Sequence, residues 1–348
     1  MAEKRPISRL ALKNISTNIP LKKVKEDAIK NDVPPVSATK PPAIAQKTTL
    51  AHKINERLTR DDEAILLEEQ LYKEGYQRDY IRFLLHDEKR FVLDRNFLQT
   101  TVFTTTSRYS VVNLLLKMQQ YFRTPDNEYY MAVKLMDLSS KICTEPEPRE
   151  GILLAITSFW IVHKFLDSNI FISLKSILKF LRLIPGMHHR YRMEDVLKME
   201  RRVLTFTKFT VQLPDPSIFI EHFLRKLKLI PNKHVYHGTY FVCDCLSTFP
   251  KFSYLETSLV AAIALYTTLV VLEENTSRFV QMTQNVFHEE LLKKYCEDAI
   301  SKIYYISKMV QCQEPFVKYS ATEKLGISMR FEKYIRKMDS QNIGFNRK

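Results

Sequence analysis

The chain has 348 residues, of which 45% are hydrophobic and 11% aromatic, so it is long enough for two domains and a tail. It contains only 6 glycines, which argues against folds built from short strands and tight turns and favours long helices. The formal net charge of +14 is compatible with nucleic acid, an acidic protein partner or a basic tail.

The distribution of residue types excludes several classes of protein. The positive charge is concentrated in the first sixty residues, and no aromatic-basic motif accompanies it, so we expect no nucleic-acid partner. Five cysteines with no preceding signal peptide predict free thiols, and Cys243 and Cys245 lack a second cluster at zinc spacing. We therefore expect no metal and no cofactor. The apolar stretches 152–162 and 259–272 are shorter than the ~20 residues of a membrane span, so we expect no membrane partner.

The N-terminal part of the chain is predicted to lack a folded core. No Phe, Tyr or Trp precedes Tyr72, and Lys, Pro, Ser, Thr and Ala are abundant. Such a segment buries too little surface to offset the chain entropy of folding, so residues 1–58 are predicted to be a disordered basic tail. Residues 59–106 are predicted to form a helical extension, because an apolar stripe begins at Ile65 and continues over 76–86.

Two successive sets of amphipathic segments follow. Five helices are predicted in the first set, over residues 107–122, 129–138, 152–165, 174–183 and 193–206. After Pro214 and Pro216, a second set is predicted over residues 217–229, 235–249, 254–272 and 291–310. The segments 152–165 and 254–272 are apolar on nearly every side and hold the same ordinal place. The order of elements predicts two similar all-α domains, 107–212 and 213–335, followed by a tail over 336–348.

Several segments resemble the mitotic cyclins of the A/B type. Residues 127–137 resemble the family's N-E-T-L-x-L-A-V-N-x-I-D, residues 198–204 resemble R-M-E-x-x-[IV]-L, and residues 318–328 resemble the closing K-Y-x-x-S-K-x-x-x-V-S. The sequence is therefore identified as a divergent B- or B3-like mitotic cyclin. The resemblance implies two tandem five-helix cyclin boxes, preceded by an N-terminal helix and the disordered tail. It also implies an activating regulatory subunit of a cyclin-dependent kinase at the G2/M transition, found in nucleus and cytoplasm.

The resemblance assigns a kinase-binding groove to the first box. Lys164, in His163-Lys164-Phe165, and Glu200 match the charged pair that holds the kinase's regulatory helix through its backbone. The apolar residues expected to line the groove around this pair are Ile161, Phe165, Leu204 and Phe209.

The nine residues 9–17 resemble the destruction box of mitotic cyclins, R-x-A-L-x-x-I-x-N. The residues at the motif positions are Arg9, Ala11, Leu12, Ile15 and Thr17, with Thr17 where Asn is usual. An extended peptide of this kind can be read by a receptor that offers an acidic and an apolar pocket. The resemblance implies recognition by the anaphase-promoting ubiquitin ligase and removal by proteolysis.

The family's docking patch for R-x-L peptides, M-R-A-I-L-x-D-W, falls on residues 107–114. Arg108, Val111 and Leu114 retain its character, but Leu114 replaces the aromatic anchor and Tyr109 replaces the small Ala. Because a shallow groove depends on its anchor, we expect this degenerate patch to bind such peptides poorly. The longer loop over 184–190, with His188-His189-Arg190, is expected to be a solvated insertion.

One alternative stays open at this point. A cyclin-fold adaptor or transcription-factor-like protein would share the fold without activating a kinase, and the charge of +14 motivates it. A DNA-binding relative should carry a basic stripe on a folded face. No enzyme is indicated, because the chain has no Gly-rich phosphate loop, no G-x-S-x-G, no His/Glu metal motif and no H-R-D, and hence no expected catalytic residues.

Overall fold

A computed structural model of the chain describes residues 76–101, 103–143, 148–166, 170–184, 191–309 and 312–340. Every regular element within these ranges is helical, so the predicted all-α class is confirmed. The predicted disordered tail, the destruction-box residues 9–17 and His188-His189-Arg190 lie outside the described residues.

The first set of helices surrounds one central helix. Helix α1 (Tyr76–Asp87) precedes the set, which consists of α2 (Thr105–Phe122), α3 (Asp126–Ser139), α4 (Pro148–Leu166), α5 (Leu174–Leu183) and α6 (Met193–Phe206). Helix α4 packs against α2, α3 and α6. Its side chains Leu154, Phe159 and Val162 are completely buried, which confirms the prediction from its all-round apolar sequence.

The second set repeats this arrangement with additional short helices. It consists of α7 (Pro216–Lys226), α8 (Lys233–Ser247), α9 (Pro250–Ser253), α10 (Thr257–Val271), α11 (Ser277–Thr283), α12 (Glu289–Lys308), α13 (Glu314–Ser320) and α14 (Ile327–Ser340). Helix α10 packs against α7, α8 and α12, and so holds the central place that α4 holds in the first set.

The C-terminal helix corrects one predicted boundary. A tail is predicted from residue 336, but α14 continues to Ser340. Ile327, Phe331 and Ile335 are buried at a spacing of four residues, so this helix is anchored by one apolar stripe. The polar residues between them lower the average hydrophobicity of the segment, so its composition does not predict a helix.

A fully buried arginine joins the two sets of helices. Arg108 of α2 pairs with Asp137 of α3 through two bonds, Nε to Oδ1 at 2.9 Å and Nη2 to Oδ2 at 2.7 Å. Its guanidinium also donates to the carbonyl of Thr248 and to Oγ of Ser253, both at 2.7 Å. Both partners belong to the second set, so one side chain holds α2, α3 and the end of α8 in register.

A second buried network crosses the same boundary. Nζ of Lys318, on α13, donates to Asp126 of α3 at 2.7 Å and to Asp244 of α8 at 2.8 Å. The Tyr130 hydroxyl donates to the other oxygen of Asp244 at 2.6 Å. Burial raises the pKa of Asp244, and the Lys318 ammonium opposes that rise.

Glu88 connects the extension after α1 to the second set. It lies in a short 3-10 helix, Glu88–Phe91, and is only 2% exposed. Its carboxylate accepts from the Ser258 amide at 2.8 Å and from the Ser258 hydroxyl at 2.5 Å, at the first turn of α10. A carboxylate at a helix N-terminus satisfies free amides and is favoured by the helix dipole.

We predict that Glu88→Ala lowers the free energy of unfolding by about 1–3 kcal/mol, because the Ser258 amide and hydroxyl are left buried without a partner. Equilibrium denaturation in urea measures the loss. Glu194→Ala, an exposed glutamate in the first turn of α6, is the control and is expected to stay within about 0.5 kcal/mol of the parent. Equal losses in the two variants would show that Glu88 contributes no more than a surface charge.

Asp215, between the two sets, makes the stability of the folded chain depend on pH. Its Oδ1 accepts the Ser217 amide at 2.8 Å and the Ser217 hydroxyl, and so caps α7. Burial raises the pKa of this carboxyl from 3.8 to about 6, although the hydrogen bonds from Ser217 act in the opposite direction. Since the folded chain then binds more protons than the unfolded chain, stability falls as the pH rises between these two values.

Asp215→Asn should remove this dependence, because asparagine still caps a helix but does not titrate. Relative to the variant, the parent chain is expected to lose up to about 3 kcal/mol of unfolding free energy between about pH 4 and pH 6. Urea unfolding of both proteins across this range measures the difference. Parallel pH profiles would mean that Asp215 titrates in the folded chain as it does in the unfolded one.

Candidate functional site

The two charged residues that the sequence singles out meet in the structure. Lys164 lies in the last turn of α4 and Glu200 in the middle of α6, and Nζ of Lys164 donates to Oε1 of Glu200. The Lys164 ammonium also lies 5.0 Å from the centre of the Trp160 ring. The Lys164 side chain is 41% exposed and that of Glu200 is 14% exposed, so the pair lies at the surface with its acceptor largely covered.

The predicted apolar lining divides into a buried and an exposed part. Ile161 is buried, and Leu204 is partly covered by the core. Phe165 and Phe209 are exposed, Phe209 to 74% of its surface. Large exposed aromatic residues next to a charged pair are typical of a surface that a partner covers.

Helix α6 carries an outer apolar stripe, separate from the stripe that faces the core. Val196, Met199 and Val203 are buried, as the helical period predicts. Met193, Leu197, Glu200 and Leu204 lie on a different face, within about 60° of one another at 100° per residue. Met193 and Leu197 are exposed, and Glu200 lies between the apolar members of this stripe. The missed signal was the set of apolar residues on α6 that fall outside its core-facing stripe.

The turn after α6 holds Phe209 away from the core. Lys208 and Phe209 both adopt left-handed backbone conformations, with φ of 51° and 60°. The Phe209 amide donates to the carbonyl of Leu204 at 2.8 Å, which closes the helix. Such conformations are unfavourable for residues with a side chain, but they are common at helix C-termini, as at Arg123 after α2. This turn fixes the outward direction of an aromatic ring.

Two further large apolar residues of the first set are exposed. Phe171, in the connection after α4, is 91% exposed, and Leu183, at the end of α5, is also exposed. Neither residue is among the predicted site residues. Phe171 lies in a connecting segment without helical periodicity, and Leu183 is the last residue of α5.

The structure places the three docking-patch residues in the interior. Arg108 forms the buried ion pair described above, and Val111 and Leu114 belong to the core. Tyr109 is also buried, and its ring packs edge-on against Phe249 and Tyr305 of the second set. These positions are therefore corrected from surface residues to structural ones. The physical reason is the depth of the boundary between the two sets, which the sequence does not show. Poor binding of R-x-L peptides stays a prediction.

The described ranges hold no group of three or more His, Cys, Asp or Glu side chains placed to bind a metal ion. Within the same ranges, no helix combines the length and hydropathy that a membrane span requires. Cys243 and Cys245 are buried as free thiols, and burial raises the pKa of each well above its usual value.

Comparison with known proteins identifies the first set of helices. Residues 79–212 match the family model of the cyclin N-terminal domain. The resemblance inferred from the sequence is confirmed. Similar curated proteins are the G2/mitotic-specific cyclin-B3 of Mus musculus, 26% identical over 203 residues, and that of Drosophila melanogaster, 24% identical over 188 residues.

These matches are partial. The mouse match covers 56% of this chain but 14% of the mouse protein, and the fly match covers 54% of this chain and 31% of the fly protein. Among solved structures, a viral cyclin from herpesvirus saimiri matches with a TM-score of 0.50 and 13% identity, over 68% of this chain and 99% of the viral chain. At this identity the likeness supports the all-α cyclin fold and nothing finer.

Proposed function

We propose that the chain is an activating regulatory subunit of a cyclin-dependent protein kinase of the mitotic type, and that it catalyses no reaction itself. The observation that carries this proposal is the Lys164–Glu200 pair on the exposed apolar surface of α4 and α6. A donor and an acceptor in an apolar groove suit an amphipathic partner helix, whose backbone takes the charges while its apolar face covers the groove.

The pairing of the two charges with each other supports a binding role. In the free chain the Lys164–Glu200 bond satisfies both groups at a half-exposed surface. When the kinase helix docks, each charge exchanges this bond for one to the backbone of the kinase. Moving that helix inward completes the kinase's own Lys–Glu pair and orders its activation loop.

Complex formation tests the proposal at its simplest level. The purified full chain is mixed with each of a panel of purified cyclin-dependent kinases, and complexes are detected by size-exclusion chromatography with light scattering. A stable one-to-one complex with a mitotic-type kinase is expected. Absence of a complex with every kinase in the panel would contradict the proposal.

The adaptor alternative differs from the proposal in kinase activity and not in complex formation. The net charge of +14 is the observation that motivates it. An adaptor would bind a kinase or another protein without raising kinase activity, and a transcription-factor-like protein would bind DNA in the absence of any kinase. We also propose that the chain is found in both nucleus and cytoplasm. This location is expected of a kinase activator, an adaptor and a transcription factor alike, so it does not distinguish among them.

We further propose that residues 9–17 mark the chain for ubiquitin-dependent proteolysis. Arg9→Ala combined with Leu12→Ala is predicted to lengthen the half-life of the protein severalfold at the exit from mitosis, because the receptor loses a charged and an apolar anchor. Pulse-chase in synchronised extracts measures this. The control is Lys13→Ala with Asn14→Ala, which alters two positions of the same segment that the motif leaves free. If both double variants decay like the parent, the segment is not a degradation signal.

A further inference from the structure

An open, positively charged cavity lies beside the N-terminal ends of α4 and α6. Its volume is about 520 Å³, and Arg149, Arg182, Tyr191, Arg192 and Asp195 line it. Arg149 is in the first turn of α4, Arg182 in the last turn of α5, and Arg192 directly precedes α6. At 1.5 Å per residue, about 22 Å of α4 separate Arg149 from Lys164.

The three arginines of this cavity have no ion-pair partner within the described part of the chain. The one acidic residue of the lining, Asp195, uses its carboxylate to accept the Arg192 amide at 2.9 Å. Arg108 and Arg202, in the same set of helices, are both paired with carboxylates. The lining thus carries three positive charges against one negative charge.

Tyr191 fixes the geometry of the cavity. Its ring is 7% exposed, and its hydroxyl donates to the carbonyl of Arg149 at 3.1 Å. This bond ties the residue before Arg192 to the first turn of α4. Two of the three guanidinium groups are therefore carried by backbone segments that are held together.

A line of positive charge on α5 leads into the cavity. Lys175, Lys179 and Arg182 are all exposed, and their spacing of four and three residues places them on one face of the helix. The opposite face is buried through Leu174, Ile177, Phe180 and Leu181. Lys179 and Lys175 lie about 4.5 Å and about 10 Å from Arg182 along the helix axis.

We propose that this cavity binds a phosphoserine or phosphothreonine in an extended segment of a partner protein. Arginine forks match phosphate oxygens through paired hydrogen bonds, and clusters of arginines are the usual means by which proteins recognise phosphorylated motifs. Because an extended chain advances about 3.3 Å per residue, acidic residues one to three positions from the phosphate lie along Lys179 and Lys175. The inference uses neither Lys164 nor Glu200 and does not depend on kinase binding.

The shape of the site favours a phosphopeptide over a nucleic acid. The charged line is only about 10 Å long and ends at the cavity. The one aromatic residue of the lining, Tyr191, is buried, so no ring of the cavity is available for base stacking.

Fluorescence anisotropy with the full chain tests the proposal. The probe is a labelled peptide with one phosphoserine followed by glutamates two and three positions later, together with the reversed sequence. We expect one of the two to bind with a micromolar Kd, and its unphosphorylated form to bind at least about tenfold more weakly. Arg149→Gln with Arg182→Gln is expected to weaken binding of the phosphorylated form at least about tenfold.

The matched control is Arg278→Gln with Arg330→Gln, which removes the same charge from exposed positions in the second set. It should change the Kd less than about twofold, because screened charges far from the site contribute little. Lys179→Gln should weaken the binding of the acidic peptide, but not that of a peptide with alanines in place of the glutamates. Thermal melting followed by circular dichroism establishes that all variants are folded.

Three results would overturn the proposal. The first is that neither peptide binds below millimolar concentration. The second is that the two double variants weaken binding equally, which would indicate an effect of net charge alone. The third is that a single-stranded oligonucleotide of equal charge binds as tightly and is weakened by the same cavity variant. A chain that fails to bind any kinase but binds the phosphopeptide would leave this inference standing and contradict only the proposed function.

Discussion

Replacing Lys164 or Glu200 by alanine is expected to abolish kinase activation and to leave the helical fold intact. In the free chain the pair lies at the surface, with the Lys164 ammonium reaching solvent, so either substitution should cost only about 1 kcal/mol of stability. In the complex, the remaining charge would face a desolvated surface without its partner, which typically costs about 2–5 kcal/mol. The predicted loss of affinity is therefore about 30-fold to several thousandfold.

The chain offers a close control for this experiment in its second set of helices. Lys251 pairs with Asp298 at 2.9 Å, its side chain is 41% exposed, and its ammonium lies 5.5 Å from the centre of the Tyr295 ring. Lys251→Ala thus removes a lysine of the same exposure, the same pairing and the same aromatic contact as Lys164. We expect it to retain full activation of the kinase. Circular dichroism checks the fold of each variant, and full kinase activity in both Lys164→Ala and Glu200→Ala would contradict the assignment.

The largest effect on stability is expected from Arg108→Met. The substitution leaves the buried Asp137 carboxylate without its partner and removes the donor to the Thr248 carbonyl and to the Ser253 hydroxyl. Removing one member of a buried ion pair typically costs about 3–5 kcal/mol. Urea unfolding should show this loss, and the change should affect both sets of helices because Arg108 links them.

Two further variants separate the ion pair from the loss of a single charge. Arg202→Met removes an arginine paired with Glu150 at 2.8 Å, but that side chain is 43% exposed, so we expect a loss below about 1 kcal/mol. Arg108→Met with Asp137→Leu replaces both charges by apolar groups and should recover much of the stability. If Arg108→Met costs no more than Arg202→Met, the buried network does not hold the two sets together.

The sequence predicts those helices that follow a polar residue and whose apolar residues recur at a regular helical spacing. Helices α5 and α6 have the predicted bounds because polar residues precede each helix and the spacing of apolar residues is regular in both. Helices α4 and α10 were recognised as central because they are apolar all round. The sequence does not predict α9, α11 and α13, which are short, or α14, whose buried residues are separated by charged ones.

The candidate site was predictable only in part, for a physical reason. Nothing in the local sequence shows that Lys164 meets Glu200, which lies 36 positions later, or that Arg108 meets Asp137. The first pairing was expected because of the family resemblance, whereas the second required the packing of α2 against α3. Residues such as Leu197 and Phe171 look like core residues in a sequence, and only their exposure distinguishes them.

The central claim is that this chain activates a kinase, and a titration measures it most directly. A purified mitotic-type cyclin-dependent kinase, phosphorylated on its activation loop, is assayed on a histone substrate while the full-length chain is added. We expect activity to rise from near zero and to saturate at one chain per kinase, and Lys164→Ala to shift the midpoint by at least about 30-fold. A chain that forms the complex but leaves the kinase inactive would contradict the account and favour an adaptor.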